Sequence, residues 1–401
     1  IKPEKEKITM EERYDVIIVG AGPAGAQCAR YLCQNSKLKV LLLEQSQEIG
    51  EPKKSTAGTL DDALVEFGLP TDIIMERTTE VVLEGENNQV RFPISGAVLE
   101  FAKLKKFLVE EALQHGCDVS IATTATHPIV ENGKVTGVRY HNLDGEGEVR
   151  ASIVVDASGP SAIIARQIGL RDVSTTLHGK GMEMELEGLS DLGETGVMLV
   201  KFDHRYAPGG YSWIYSAGKG RAKVGACWVD DHFKKMGGDG SVVAYLHKWI
   251  REDPRFKNGR AVEIHGGDAF LSGANLPRVA DGLVCIGDSV CTVNPFLGEG
   301  IRPALKSANF AAKNIIIASA AGRSDKEAFK QYQDEWSQYA REWNVSEKLG
   351  AMFFTTPNKR IDTYLKLLEK GIGNDKELLY RFATYSVTTG DLFKCFKNVI
   401  F

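Results

Sequence analysis

The stretch Asp15-Val16-Ile17-Ile18-Val19-Gly20-Ala21-Gly22-Pro23-Ala24-Gly25 constrains the fold of this chain more than any other. Four aliphatic residues led in by Asp15 predict a short buried strand, the glycines a tight turn, and Ala24 to Gln34 a helix. Each glycine has its own job in such a unit. Gly20 permits a sharp exit from the strand, Gly22 lets backbone approach a pyrophosphate, and Gly25 lets helix and strand pack closely. Bare N–H groups and the positive end of the helix dipole, at Pro23 and Ala24, then favour phosphate. A second apolar run, Val40 to Leu43, ends in Glu44 and Gln45. That acid stands about 20 residues on, where a partner for a ribose hydroxyl is expected. The context predicts a dinucleotide-binding α/β domain; the plain alternative is a generic glycine-rich turn.

Composition bounds what such a unit can belong to. At 401 residues the chain can bury a large core and divide into two or three domains. Its net charge of −4 gives no reason to expect a nucleic-acid partner. No apolar run approaches the roughly 18 residues that a membrane span requires. The seven cysteines are odd in number and never in a CxxC spacing, which points to reduced thiols in a cytoplasmic setting. The eight histidines form no HxxH or HExxH pattern, so no metal site is expected. Residues 1–12, mostly charged up to Thr9, are expected to be a disordered leader.

Two further strand-and-turn units follow. Ser152-Ile153-Val154-Val155 ends in Asp156 and a turn at Gly159. Leu283-Val284-Cys285-Ile286 ends in Gly287-Asp288, and the loop Asn294-Pro295-Phe296-Leu297-Gly298-Glu299-Gly300 runs into a helix beginning near Ile301. The spacing of Phe101, Leu104, Phe107, Leu108 and Ala112 predicts a helix over about 100–115, with its lysines and glutamates on a solvated face. Strands are expected at 119–122 and 135–140, with Asn132-Gly133 as a hairpin turn. Residues 171–265 read as β-rich. Within them Tyr211, Trp213 and Tyr215 alternate and so share one face of a strand, an apolar wall suited to a long hydrocarbon or, alternatively, an aromatic core ladder. Helical periodicity takes over from Ile315. The expected organisation has residues 13–66, 97–170 and 266–325 in a Rossmann-type domain. Residues 67–96 and 171–265 form a mostly antiparallel-sheet domain, and 326–401 a helical region.

In this order and at these distances the three units resemble the FAD-binding domain of the p-hydroxybenzoate hydroxylase-like flavoproteins. The matching residues are Gly20, Gly22 and Gly25, then Asp156 and Gly159, then Gly287-Asp288 with Asn294 to Gly300. The resemblance implies that FAD is held by these residues together with Pro23, Ala24, Glu44, Gln45, Pro295, Gly298, Gly300 and Ile301. It places Asp288 against the ribityl chain and pyrophosphate, and the following loop and helix start against the flavin ring. Within that family, residues 14–320 resemble the geranylgeranyl reductase group, which saturates isoprenoid double bonds of archaeal membrane lipids. Gly209-Gly210-Tyr211-Ser212-Trp213-Ile214-Tyr215 looks like that group's Tyr-x-Trp-x-Phe/Tyr strand, whose aromatics line a prenyl tunnel.

The resemblance implies hydride transfer from reduced FAD to one alkene carbon and protonation of the other. NAD(P)H or a protein reductant would supply electrons, and the chain would be cytoplasmic with a peripheral membrane contact for its prenylated lipid. An isolated alkene is not electrophilic, so the reaction needs proximity, a dry pocket and a placed acid. Tyr211, Trp213, Tyr215 and Glu299 are the candidate catalytic residues, with water held by the Asn294–Gly300 loop as another proton source; pairing with Arg302 is the alternative for Glu299. Lys53 and Lys54 either meet a lipid phosphate or stay solvated, and Phe353-Phe354 or Phe396 would touch the membrane. The group's flavin-proximal cysteine is missing from Pro52–Gly58, where Ser55, two residues before Ala57, takes its approximate place beside the cofactor. Phe101 and Ser216 replace an Arg and a Pro of the wider pattern. Two other readings remain: an oxygen-using hydroxylase or halogenase on the same fold, and a non-catalytic prenyl binder like the Rab escort proteins. The halogenase strand Trp-x-Trp-x-Ile-Pro lacks its first Trp and its Pro here.

Overall fold

The computed structural model describes residues 13–189, 196–271, 276–384 and 386–400, so the leader expected at 1–12 lies outside the described residues. The aliphatic strand Arg13–Val19 sits inside an eight-stranded sheet. It pairs in parallel with Val40–Leu43 on one side and with Gly145–Asp156 on the other. Asp118–Ser120 and Leu283–Cys285 extend the parallel part outward. A strand buried on both faces reads as a continuous apolar run rather than an alternating one. Val16 and Ile18 join the core beneath the helices Pro23–Asn35, Phe101–Gln114 and Ile301–Ala320. Ile17 and Val19 face the hairpin Thr124–Glu131/Lys134–Asn142 and the short helix Ile163–Gln167. Asn132 and Gly133, at φ +50° and +80°, make that hairpin's turn as expected. The strand foreseen at 119–122 stops at Ser120, because Ala122 turns at φ +51°.

The second sheet has seven strands, in the spatial order Arg260–Leu271, Leu177–Glu187, Arg221–Val229, Gly210–Ser216, Val197–Lys201, Glu80–Glu84 and Gln89–Phe92. Neighbours are antiparallel except Val197–Lys201 and Glu80–Glu84, which run parallel. One face (Met184, Leu186, Ile214, Val224) packs on the helix Val242–Glu252 through Leu246 and the fully buried Trp249. The β-rich reading of 171–265 missed this helix. Its Val242, Leu246 and Trp249 fall at helical spacing, and the Ser241 hydroxyl caps it by accepting from the Ala244 N–H at 3.3 Å. The boundary expected at 265/266 falls inside the strand Arg260–Leu271, which pairs with Leu177–Glu187 along its length.

The chain ends in the helices Lys330–Tyr339, Trp343–Phe354, Asn358–Ile372, Lys376–Ala383 and Thr389–Ile400. Phe353 and Phe354 are only 3% exposed, packed on Phe202, Phe296 and Tyr211, so they are core residues and not a membrane contact. The Phe396 side chain lies outside what the structure describes. Among the described residues no helix is long and apolar enough to cross a membrane.

The glycine turn that opens the fold tolerates no side chain at its third glycine. A Cβ at Gly25 would lie 1.9 Å from the Gly20 carbonyl oxygen. Gly25→Ala is therefore expected to destabilise the protein by about 1–3 kcal/mol, read as a lower midpoint in denaturant unfolding. An unchanged midpoint would contradict this packing.

Candidate active site

A cavity of about 1000 Å³ opens at the carboxyl ends of the parallel strands, the usual crevice of a doubly wound sheet. One side is built by Gly20, Gly22, Pro23 and Ala24 from the first turn, Glu44 and Gln45 from the second strand end, and Gly159. Gly287, Asp288, Pro295, Gly298, Glu299, Gly300 and Ile301 continue it, and Ser55 and Ala57 also line it. The other side is the second sheet, presenting Tyr211, Trp213 and Tyr215 together. Two of the expected cofactor residues do not line it. Gly25 packs on Gly20, as its spacing role requires. Asp156 is fully buried, and its carboxylate accepts from Ser158 N–H and Oγ–H and from the N–H groups of Ile164 and Ala165 at 2.6–3.0 Å. It therefore holds the turn that carries Gly159 instead of facing a ligand.

Several features fit a dinucleotide. A Cβ at Gly22 would meet nothing within 4 Å, so that position keeps the space beside the turn clear. The helices Pro23–Asn35 and Ile301–Ala320 both lack a capping side chain, which leaves their first-turn amides for another acceptor. The Glu44 carboxylate lines the cavity and is fixed by the N–H groups of Ala21 (2.8 Å) and Ser46 (2.9 Å). Burial pushes the Asp288 carboxyl up to about 6, and only partly does the Thr292 hydroxyl, donating at 3.0 Å, oppose it. Such a carboxyl gains from hydroxyl donors.

The candidate acids divide. Both Glu299 oxygens are engaged by Arg302, at 3.2 and 2.9 Å, so Glu299 takes the ion-pair alternative and not the role of a proton donor. The Tyr211 hydroxyl donates to the Leu297 carbonyl at 2.7 Å and ties the aromatic strand to the 294–300 loop. Burial, with Glu183 adding to it, pushes the Tyr215 hydroxyl well up. Lys53 pairs with Glu263 at 2.9 Å and Glu100 at 3.7 Å, while Lys54 lines the cavity.

Of three further lining residues, Glu183 and His265 went unnoticed in the sequence. Lys105 lies on the helix face expected to be solvated, yet it is 8% exposed, and burial lowers its ammonium. Glu183 and His265 stand opposite each other in adjacent strands, and Gly225 separates Glu183 from Trp213 in the same row. A Cβ at Gly225 would lie 2.0 Å from the Trp213 ring. The indole therefore lies across that glycine, and its Nε1–H reaches Glu183 Oε2 at 2.8 Å. The Thr56 hydroxyl donates to the same oxygen. His265 Nε2 sits 3.0 Å from Glu183 Oε1, out of line for a hydrogen bond. The alternation Met182-Glu183-Met184-Glu185 was a signal, since it puts two acids on one strand face.

The raised Asp288 carboxyl sets a pH dependence. The folded state binds this proton more tightly than the unfolded chain, so the group's contribution to stability falls as pH rises from 3.8 to about 6. In the ligand-free protein, Asp288→Asn is expected to be more stable than the parent at pH 7 by on the order of 2 kcal/mol. Urea unfolding should show the difference vanish below about pH 4.

Comparison with known proteins agrees with this geometry. The family model of FAD dependent oxidoreductases matches residues 15–171, and that of tryptophan halogenases matches residues 95–371. A digeranylgeranylglycerophospholipid reductase of Haloferax volcanii is 37% identical over 90% of this chain and 90% of its own. A digeranylgeranylglycerophospholipid reductase of Methanopyrus kandleri is 30% identical over 89% of this chain and 95% of its own. Among solved structures, a geranylgeranyl bacteriochlorophyll reductase-like protein of Thermoplasma acidophilum superposes with a TM-score of 0.81, at 24% identity over 96% of both chains. The flavin-dependent brominase Bmp2 superposes with a TM-score of 0.73, at 21% identity over 97% of this chain and 98% of its own. By the sequence matches the chain belongs to the digeranylgeranylglycerophospholipid reductase family, and the tryptophan halogenase model also covers more than half of it.

Proposed function

We propose that this protein is an FAD-dependent reductase that saturates the isoprenoid double bonds of a geranylgeranylated glycerophospholipid. The observation that carries the reading is the shared cavity, in which the glycine turns of the first domain face the Tyr211/Trp213/Tyr215 wall of the second. Its volume, about 1000 Å³, is at the upper end of ligand cavities, enough for a cofactor and a stretch of hydrocarbon beside it. FAD, when bound and reduced, supplies the hydride. In this reading the clear space at Gly22 and the uncapped helix at Pro23 receive the pyrophosphate, and Glu44 with Gln45 takes the ribose. Asp288 accepts from ribityl hydroxyls, and the uncapped start of the helix at Ile301 favours negative charge beside the ring.

The protein's own share of the chemistry is placement and dryness. The aromatic wall, with Phe354 behind Tyr211 at a centroid distance of 5.9 Å, grips the chain and excludes water. Glu299 and Tyr211 are committed to Arg302 and Leu297, which leaves Tyr215, whose burial keeps its hydroxyl protonated, or water held by the Asn294–Gly300 loop as the proton source. The sequence has no second glycine-rich nucleotide motif, so NAD(P)H or a protein reductant would dock only transiently. The lipid lies in a bilayer and no described helix spans one, so the protein would work on the cytoplasmic membrane surface. The halogenase model match raises oxygen-dependent halogenation as a second reading. It is disfavoured because Tyr211 and Ser216 stand where the halogenase strand has Trp and Pro.

Anaerobic incubation of the chemically reduced protein with a geranylgeranylated phospholipid, followed by lipid mass spectrometry, tests the proposal. Mass gained in steps of two hydrogens is expected. No gain, with bound flavin reoxidised only by air, would overturn the reductase reading for that lipid.

A further inference from the structure

We propose that Glu183 is a positioning residue whose buried carboxylate clamps Trp213 to Thr56 and so fixes the slot in which a substrate alkene lies. The inference rests on the reductase reading above. Glu183 is 2% exposed, and a carboxylate taken so far from water must be compensated by hydrogen bonds. His265 is the ionisable neighbour within 4 Å, and its ring is not aligned to donate. Compensation falls instead on Oε2, which accepts from both Trp213 Nε1 and Thr56 Oγ.

Those two donors come from distant parts of the sequence and meet on one oxygen. Trp213 belongs to the aromatic strand, and Thr56 to the cavity-lining segment between Ser55 and Ala57. Two more contacts seat that segment on the sheet. Lys223 Nζ donates to the Thr56 carbonyl at 3.0 Å, and the Tyr215 ring approaches Gly58 so closely that a Cβ there would be 2.6 Å from it. The Glu183 contact adds a hydrogen bond that orients Trp213 of the wall. With glycine beneath it, the Trp213 indole has no Cβ at 225 to stop its rotation, so the N–H bond to Glu183 decides which way its face points. Loss of the clamp leaves the hydrocarbon bound but misplaced relative to the reductant, and a misplacement of about 1 Å costs on the order of 10²-fold in rate.

The test compares Glu183→Ala, Glu183→Gln, Trp213→Phe and Thr56→Val in the flavin-loaded protein with a geranylgeranylated phospholipid. It also follows hydrogen exchange at residues 55–58 in the flavin-free protein. Glu183→Ala is expected to lower kcat by on the order of 10–100-fold, to leave KM within about threefold, and to broaden the distribution of partially saturated products. Its 55–58 amides should exchange faster. Glu183→Gln, whose amide oxygen still accepts both donors, should restore the rate, the products and the exchange toward the parent's. The Trp213→Phe effect should not add to that of Glu183→Ala. If Glu183→Ala does not fold, Thr56→Val reads the same clamp from its other end, with the same shift in products and exchange expected. An equal loss in Glu183→Gln and Glu183→Ala, or an unchanged product distribution and unchanged exchange, would overturn the clamp. Failure of the parent protein to reduce the lipid would instead overturn the reductase reading, and the exchange measurement would still decide the clamp.

Discussion

The dinucleotide side of the molecule depends on backbone meeting backbone at the end of the strand Arg13–Val19. A side chain at Gly20 would come within 2.6 Å of the Ala157 carbonyl oxygen, and one at Gly25 within 1.9 Å of the Gly20 oxygen. A side chain at Gly287 would touch Ala24 Cβ at 2.7 Å. Three strand ends far apart in sequence therefore converge on one helix start. Gly22, Gly159 and Asp288 reach the same cavity only because their neighbours have nothing to push them apart. Asp156 works from behind this junction, its four hydrogen bonds fixing the turn after its strand.

The second sheet uses its two faces differently. Toward the helix Val242–Glu252 it is an ordinary apolar core around Trp249. Toward the cavity it mixes large aromatics with buried acids, and glycines decide how the two fit. Gly225 gives the Trp213 indole room to lie across a strand and reach Glu183, and Gly58 lets the segment 55–58 settle on Tyr215. The C-terminal helices complete the enclosure from the far side, where Phe353 and Phe354 pack on Phe202 and Tyr211. An apolar wall with few, fixed polar groups suits a hydrocarbon that must be held still without water.

Features written in local pattern were legible in the sequence. The strand–glycine–helix units, the helix Phe101–Gln114, the Asn132-Gly133 hairpin and the one-faced Tyr211/Trp213/Tyr215 alternation depend on neighbours a few residues away, and the fold has them where the spacing put them. What escaped depends on which face another element covers. The residues Val242, Val243 and Tyr245 favour strands, and the Ser241 cap together with packing of Leu246 and Trp249 on the sheet makes them helical. Lys105 looked solvated because its spacing says nothing of the Pro52 carbonyl it meets at 3.3 Å. Phe353-Phe354 looked like a membrane contact until Phe296 and Phe202 were seen to cover it. Glu183 was hidden for the same reason, since its partners come from positions 56, 213 and 265.

In the proposed reaction, cofactor and lipid share one cavity. The most direct measurement is a titration of the oxidised, flavin-loaded protein with a geranylgeranylated phospholipid, followed in the flavin absorbance bands. A saturable change in those bands, matched at the same lipid concentrations by quenching of tryptophan emission that Trp213→Phe diminishes, is what a shared cavity predicts. Lipid binding that leaves the flavin spectrum untouched would place the two ligands apart and contradict the account.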